Sequence, residues 1–473
     1  MLDFTNFDGT GRPPRKVQVQ ALSWLQETWE EAEVFGLNAP CGVGKSGIGR
    51  AVQIATNGAY LAPENILVKQ ILDTYPGLNH LIGRKHYTCH KDKAVSCEDK
   101  HLLKSHTVCD KCIYMHNRIK AVRGEPTVFN PVSYYYASIT PGWKIPEVIV
   151  VDEADQLLDT ISLISGEEFG AAYKPPADMS IIDVVEWLGE QERMFMKIVM
   201  MSEERKAIRY NMILQKIRRV RECVISSPEQ YMHFYKDGGT LVVHPLTPPK
   251  KLRDSLLASK KLVLMSASLL KIDISRLTDR PYRYIELDSP IPEERRRIHI
   301  EPGPIRFNWE TQPVVIAEWI KQKVKQNPGK NTIVHVSYAL SEKLAPYCPG
   351  YFTNTPETKI KVLDKFKKSG GIWLASGIAK GVDLPGDMCT LNLIPLLPRP
   401  NIEDTIVRKK LALPGGKAEY ELGVLRTVMQ MAGRASRFEE DFSKIITADY
   451  SLLSLVDKHR GELPRSFIEQ IRR

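Results

Sequence analysis

The chain has 473 residues, long enough for two or three domains, and its apolar share of 43% is ordinary for a protein with full cores. Its 66 Lys and Arg against 56 Asp and Glu leave a net charge of +10, a balance that suits a polyanionic partner. No apolar run approaches the ~20 residues of a membrane span, and no signal peptide opens the sequence. An intracellular, cytoplasmic protein without membrane or disulfide framework is therefore expected.

The first segment with chemistry follows the apolar run Val34, Phe35 and Leu37. Ala39-Pro40-Cys41-Gly42-Val43-Gly44-Lys45-Ser46 is a glycine-rich turn between a strand and a segment that reads as helix. Such a turn points backbone N–H groups at a phosphate, and the helix N-terminus adds positive potential. Lys45 is placed to reach the β- and γ-phosphates of a nucleotide and the Ser46 hydroxyl to ligate Mg2+. Ala39 stands where the usual pattern has its first glycine, and a plain surface turn is the alternative for this segment alone. Ala62 to Gln70 follows a short apolar stretch after the helix.

Next comes a basic insert, about Leu81 to Gly124. It carries Cys89, Cys97, Cys109 and Cys112 with spacing C-x7-C-x11-C-x2-C, half of the chain's 8 cysteines. Four thiolates in one insert hold either a [4Fe–4S] cluster or a zinc ion. His86, His90, His101, His106 and His116 surround them, either in a mixed Cys/His zinc site or facing solvent or DNA. Tyr134, Tyr135 and Tyr136 follow, as base-stacking residues or as a buried aromatic segment.

Val148 to Val151 is a continuous apolar run that reads as a buried parallel strand, and Asp152-Glu153-Ala154-Asp155 ends it in carboxylates. Ligands of open α/β sheets bind at the carboxyl ends of strands. Asp152 is thus placed to hold Mg2+ through its water shell and Glu153 to polarise an attacking water. With the glycine-rich turn upstream, this predicts an ATPase or GTPase. A second insert, about Thr160 to Pro245, follows. Its segment Ile181 to Val224 has Ile213, Ile217, Val220 and Val224 at helical spacing, interleaved with Lys216, Arg218, Arg219 and Arg221. That pattern predicts an amphipathic helix with a basic face that touches nucleic acid, or a solvated helical hairpin with no nucleic-acid contact.

Met265-Ser266-Ala267-Ser268 follows the strand Leu262-Val263-Leu264. The proline-rich stretch Pro290 to Pro304, with its charge run Glu293 to Arg297, reads as a linker. Ile333 to Val336 reads as an early strand of a second domain, and Ser376 to Gly386 follows Ile372-Trp373-Leu374. Gln430 to Arg437 places Arg434 and Arg437 three apart on one helix face, where guanidinium groups can meet a γ-phosphate.

In this order, the segments resemble the motif set of superfamily 2 helicases from Arg15 to Arg437. The resemblance implies that Arg15 and Gln18 read the adenine. Gly42, Gly44, Lys45 and Ser46 match motif I, and Ala62 to Gln70, with Asn65, matches motif Ia, which holds the nucleic-acid backbone. Asp152 to Asp155 match motif II, Ser266 to Ser268 motif III, and Gly377 to Asp383 motif V, with Gly381 and Asp383 serving the ATP site. Gln430, Arg434 and Arg437 match motif VI. The four-cysteine insert between motifs Ia and II is similar to that of the XPD/DinG group, where it carries [4Fe–4S]. Cys112-Ile113-Tyr114 and Asn130 to Tyr136 look like that group's words. The compact cysteine spacing, Asp155 in place of His, Lys380 in place of an acidic residue and the short chain depart from its pattern.

The resemblance implies an α/β fold of two RecA-like parallel-sheet motor domains. The first is 1–287, with an iron–sulfur cluster insert at 81–124 and a helical arch-like insert at 160–245. A linker follows at 288–304, and the second domain is 305–473. It further implies an ATP- and Mg2+-dependent 5′-3′ DNA helicase that translocates on single-stranded DNA and separates forked or 5′-tailed duplexes. Two rivals stay open: an RNA or RNA–DNA hybrid helicase, and an ATP-switched nucleic-acid clamp or scaffold subunit that does not separate strands.

Overall fold

A computed structural model describes residues 2–90, 93–98, 112–236, 238–329, 331–378, 384, 386–433 and 440–472. Its strands in chain order are β1 (Val34–Asn38), β2 (Ala59–Leu61), β3 (Asn79–Leu81), β4 (Thr127–Phe129), β5 (Val148–Asp152), β6 (Glu167–Phe169), β7 (Tyr231–Lys236), β8 (Thr240–Pro245), β9 (Lys261–Ser266), β10 (Tyr282–Glu286), β11 (Ile298–Ile300), β12 (Thr332–His335), β13 (Phe352–Thr353), β14 (Ile372–Ala375), β15 (Leu391–Ile394), β16 (Lys444–Thr447) and β17 (Ile471–Arg472). The chain divides into two units. The first comprises Met1–Gly11, Gly49–Leu264 and Ser275–Pro281; the second comprises Arg12–Ile48, Met265–Ile274 and Tyr282–Arg473.

In the first unit, β9, β5, β2, β4 and β3 lie side by side in that order, and the pairs from β5 to β3 are parallel. The apolar run 148–152 is wholly buried, as a strand covered on both faces must be. Helix Pro131–Ser138 starts where Asn130 accepts the Ser133 N–H and proline fills the first helical position. Of the two readings of the segment 181–224, one amphipathic helix or a helical hairpin, the structure has the hairpin. Helix Ile181–Met201 opens on a capping box of Ser180 and Asp183, and its cap Ser202 turns extended. Helix Glu204–Ser226 then returns. The two pack on each other and on the antiparallel sheet β6-β8-β7, around Trp187, Leu188, Ile217, Val220 and Leu241.

In the second unit, β1 pairs in parallel with β10, Val34 facing Tyr282 through to Asn38 facing Glu286. A seven-stranded parallel sheet runs β13-β14-β12-β15-β16-β11-β17. Neighbouring strand residues serve opposite faces, as the pleat requires. Ile445 joins the cluster of Leu422, Leu425 and Val428, while Ile446 joins that of Trp319, Ile320 and Val334. Strand β11 lies inside the stretch expected to be a linker: Ile298 and Ile300 have the alternation of a strand, and proline density at 290–292 and 302–304 hid it. Among the described residues no helix is long and apolar enough to cross a membrane.

Candidate nucleotide and nucleic-acid site

The phosphate-loop candidates lie in the second unit. β1 is fully buried and delivers the chain into the turn. Gly42 and Gly44 take φ of 89° and 84°, the left-handed region that side chains with a Cβ avoid. Lys45 opens helix Lys45–Thr56, with its Nζ buried 3.5 Å from the Ala39 carbonyl, and Ser46 is half-buried beside it. The loop is braced from below by Arg15 and Gln18. The Arg15 guanidinium donates to the Gly42 carbonyl, and Gln18 Nε2 donates to the Gly44 carbonyl at 3.0 Å. Gln18 Oε1 accepts the Arg15 N–H at 2.8 Å, which fixes the amide's orientation. A trans peptide points its C=O and N–H in opposite directions. Holding the Gly44 carbonyl therefore aims the Lys45 N–H away from Gln18, across the loop.

The same unit brings motif VI's helix and motif III to this loop. A Cβ on Gly433, at the end of helix Gly416–Ala432, would collide with Cys41 Sγ and force that side chain to move. Gln430 Nε2 donates to Ser268 Oγ at 2.9 Å in a buried position. A small cleft here is lined by, among others, Pro40, Cys41, Ala267, Met429, Ala432 and Gly433. Gly381, Asp383, Arg434 and Arg437 lie outside the described residues.

The carboxylate candidates lie in the first unit. Asp152 ends β5 and is buried. Its Oδ1 accepts the Glu153 N–H at 3.0 Å, and its Oδ2 accepts the hydroxyl of Tyr60 at 3.0 Å. Glu153 has φ 47° and ψ 48°, a left-handed backbone that a glutamate adopts at a cost and that turns the chain sharply at the strand's end. Tyr60, itself buried on β2, was invisible to motif reading: nothing in its surroundings in sequence marks it as the partner of a carboxylate on the adjacent strand.

Asn65 opens helix Asn65–Thr74 and sits in a polar chain. Asn130 Nδ2 donates to Asn65 Oδ1 at 2.6 Å, and Asn65 Nδ2 lies 2.8 Å from His86 Nε2. Burial, aided by Lys85, lowers the His86 pKa, which favours the neutral ring that can accept from Asn65. Two of the three tyrosine candidates are core residues. Tyr134 packs edge-on against Phe129 and Trp143, and Tyr135 is 8% exposed. Burial raises the phenol pKa of both, that of Tyr135 to about 12. Only Tyr136 is open, at 40% exposure.

The three arginines expected to meet the nucleic-acid strand are engaged within the unit. Arg218 and Arg221 both pair with Glu192 on the facing helix, at 2.8 and 3.2 Å. Arg219 pairs with Glu167 at 3.1 Å and donates to the Tyr136 hydroxyl, leaving its side chain 9% exposed. The helical periodicity was read correctly; the carboxylates that take up the charges stand far away in sequence.

In the cysteine segment, Thr88 and Ser96 form an antiparallel bridge. Cys89 N–H donates to the Val95 carbonyl and Cys97 N–H to the Tyr87 carbonyl, so the two cysteines flank a small hairpin. Cys112 caps helix Ile113–Val122 and packs with Cys97 and Tyr87. All three cysteines are buried, and none is in a disulfide with another described residue. Their chemistry fits a thiolate-held centre, but among the described residues no three metal-ligating side chains gather in one place. Cys109 lies outside them, as do His101 and His106.

Residues 321–470 match the family model of a helicase C-terminal domain. The probable ATP-dependent helicase MJ0942 of Methanocaldococcus jannaschii is 24% identical over 249 residues, 46% of this chain and 38% of that protein. This chain therefore spans well under half the length of that curated relative. Among solved structures, an XPD helicase superposes with a TM-score of 0.64 at 14% identity, covering 95% of this chain and 98% of the other. Xpd4 of S. tokodaii superposes with a TM-score of 0.58 at 15% identity, covering 97% and 99%. The fold is that of α/β proteins with two RecA-like parallel sheets. Within that class the chain's fold is similar to that of the XPD helicase structures.

Proposed function

We propose that this chain is an ATP-driven helicase that moves 5′ to 3′ along single-stranded DNA and separates forked or 5′-tailed duplexes. The braced phosphate loop carries the reading: Arg15 and Gln18 hold the carbonyls of Gly42 and Gly44, and Lys45 starts the helix behind them. In this reading Lys45 and Ser46 bind phosphate and Mg2+. Asp152 and Glu153 organise the metal and the attacking water, and Arg434 and Arg437 stabilise charge on the γ-phosphate, with Gln430, Gly381 and Asp383 completing the site. Residues 1–287 and 305–473 act as two motor domains, the second completed by β11, Asn65 and Tyr136 contact the strand, and the 160–245 insert serves as a short arch. Cys89, Cys97, Cys109 and Cys112 would hold a [4Fe–4S] cluster, with zinc as the alternative. Such a centre cross-links an insert too small for a core of its own.

The test is turnover by wild type and Lys45→Ala. The variant should lose ATP hydrolysis and keep DNA binding, because no other group replaces the point charge on the phosphates. Normal turnover in the variant refutes the site. Unwinding of DNA, RNA and hybrid duplexes with 5′ or 3′ tails then tests substrate and polarity. A preference for RNA or for 3′ tails refutes that part, and hydrolysis without unwinding identifies a clamp.

A further inference from the structure

Arg434 and Arg437 follow helix Gly416–Ala432 in the sequence, and their placement depends on that helix's rotation and its position along its own axis. Two buried polar bridges, one turn apart on one face, fix both. Arg426 grips Asp273 with two nitrogens, Nη2 to Oδ1 at 2.5 Å and Nε to Oδ2 at 3.3 Å. The side chains are 10% and 4% exposed, and Arg426 Nη1 reaches Glu419 at 3.1 Å. Four residues on, Gln430 bonds Ser268. The far ends of both bridges belong to one short segment, Ser266 to Asp273. That segment is itself tied down: Asp273 Oδ2 accepts the Leu270 N–H at 2.9 Å, and Asn38 Nδ2, at the end of β1, donates to the Leu269 carbonyl at 3.0 Å. A continuous chain of bonds thus runs from the strand that feeds the phosphate loop, through motif III, to the helix that feeds motif VI.

We infer that Arg426 and Asp273 are positioning residues that set the register of the motif VI helix and so the delivery of its arginines to the nucleotide. A well-packed apolar pair would hold the helix about as firmly as a buried ion pair, without desolvating two charges. What a two-nitrogen grip on a carboxylate adds is direction. The neighbouring hydrogen bond and the apolar packing of Leu422, Leu425 and Val428 hold the helix in place without adding that direction. The inference rests on the proposed role of Arg434 and Arg437 at the ATP site.

The test compares wild type, Asp273→Asn, the double variant Asp273→Leu with Arg426→Met, and the charge-reversed pair Asp273→Arg with Arg426→Asp. Thermal unfolding, nucleotide affinity, KM for ATP and kcat are measured with and without single-stranded DNA. Asp273→Asn retains an acceptor for Leu270, and Glu419 remains on Arg426, so it should fold. It should lose roughly 10- to 100-fold in kcat, the usual effect of displacing a catalytic group by about an ångström, with KM within about threefold of wild type. The apolar pair should be folded and equally slow, and the reversed pair should recover part of the loss. Wild-type kcat in either folded Asp273→Asn or the folded apolar pair overturns the inference. Should Asp273→Asn not fold, the apolar pair alone decides, and if neither folds the pair is structural and the inference is overturned. Should Arg434→Ala turn over normally while the Asp273 variants are slow, the finger assignment has failed and the positioning of this helix has not.

Discussion

Gln18 shows how one side chain can shape a phosphate site without touching phosphate. It is buried, receives the Arg15 N–H and donates to the Gly44 carbonyl. Gln18→Glu keeps size and shape but removes the donor and sets a carboxylate against a carbonyl oxygen. A buried acceptor left unpaired costs ~1–3 kcal/mol, so KM for ATP should rise about 5- to 100-fold, and steady-state kinetics with an unchanged KM would refute the brace. Tyr60→Phe is the matching test for the carboxylate half. It removes the hydroxyl donating to Asp152 and leaves the buried ring in place. Turnover at limiting Mg2+ should fall by about tenfold while the melting temperature stays within a few degrees, since a hydrogen bond to a charged group contributes ~1.5–3 kcal/mol. Equal Mg2+ titrations would remove Tyr60 from the site. Lys45, Ser46, Asp152 and Glu153 were conspicuous in the sequence because the phosphate and metal binding proposed for them demands specific residue types at fixed short spacing. Tyr60 and Arg426 were not, because their partners stand 92 and 153 positions away.

At the scale of elements, the helical pair 181–226 behaves as a self-contained unit of ion pairs. Arg219→Ala breaks its bridges to Glu167 and to Tyr136 together. It should lower stability by ~1–3 kcal/mol, seen as a lower melting temperature. The salt dependence of single-strand binding should stay as in wild type, because a guanidinium already paired with a carboxylate releases no counterion from DNA. A flattened salt slope in Arg219→Ala would return this residue to the nucleic-acid surface. Periodicity alone found the helices, since Ile217, Val220 and Val224 repeat on one face. It could not find the turn at Ser202, where polar residues continue the pattern without interruption. Strand β11 was hidden for a different reason: three residues between prolines are too few to show a period of two.

At the scale of the whole molecule, two kinds of integrity should come apart. Cys97 and Cys112 pack with Tyr87 in a segment with few aliphatic residues, whereas both faces of the second unit's sheet carry full apolar clusters. Cys112→Ser should therefore strip iron, or zinc, and strand separation while ATP hydrolysis persists in part. Metal analysis, ATPase and unwinding on one preparation check this, and full unwinding by a metal-free variant would refute it. The two parallel sheets were readable from apolar runs ending in functional residues. The division into units, with Arg12–Ile48 and Met265–Ile274 grouped with the C-terminal half, was not, because composition does not report which segments touch. The close approach of Gly433 to Cys41 has a practical side. Cys41 is half-exposed, while Cys89, Cys97 and Cys112 are buried. Alkylating reagents chosen to probe the cysteines proposed to hold a metal will also meet the phosphate-loop thiol, which is more exposed than Cys89, Cys97 and Cys112. A loss of activity after such treatment reports on the loop until nucleotide has been shown to shield it, so metal occupancy should be followed by spectroscopy and elemental analysis instead of by thiol blocking.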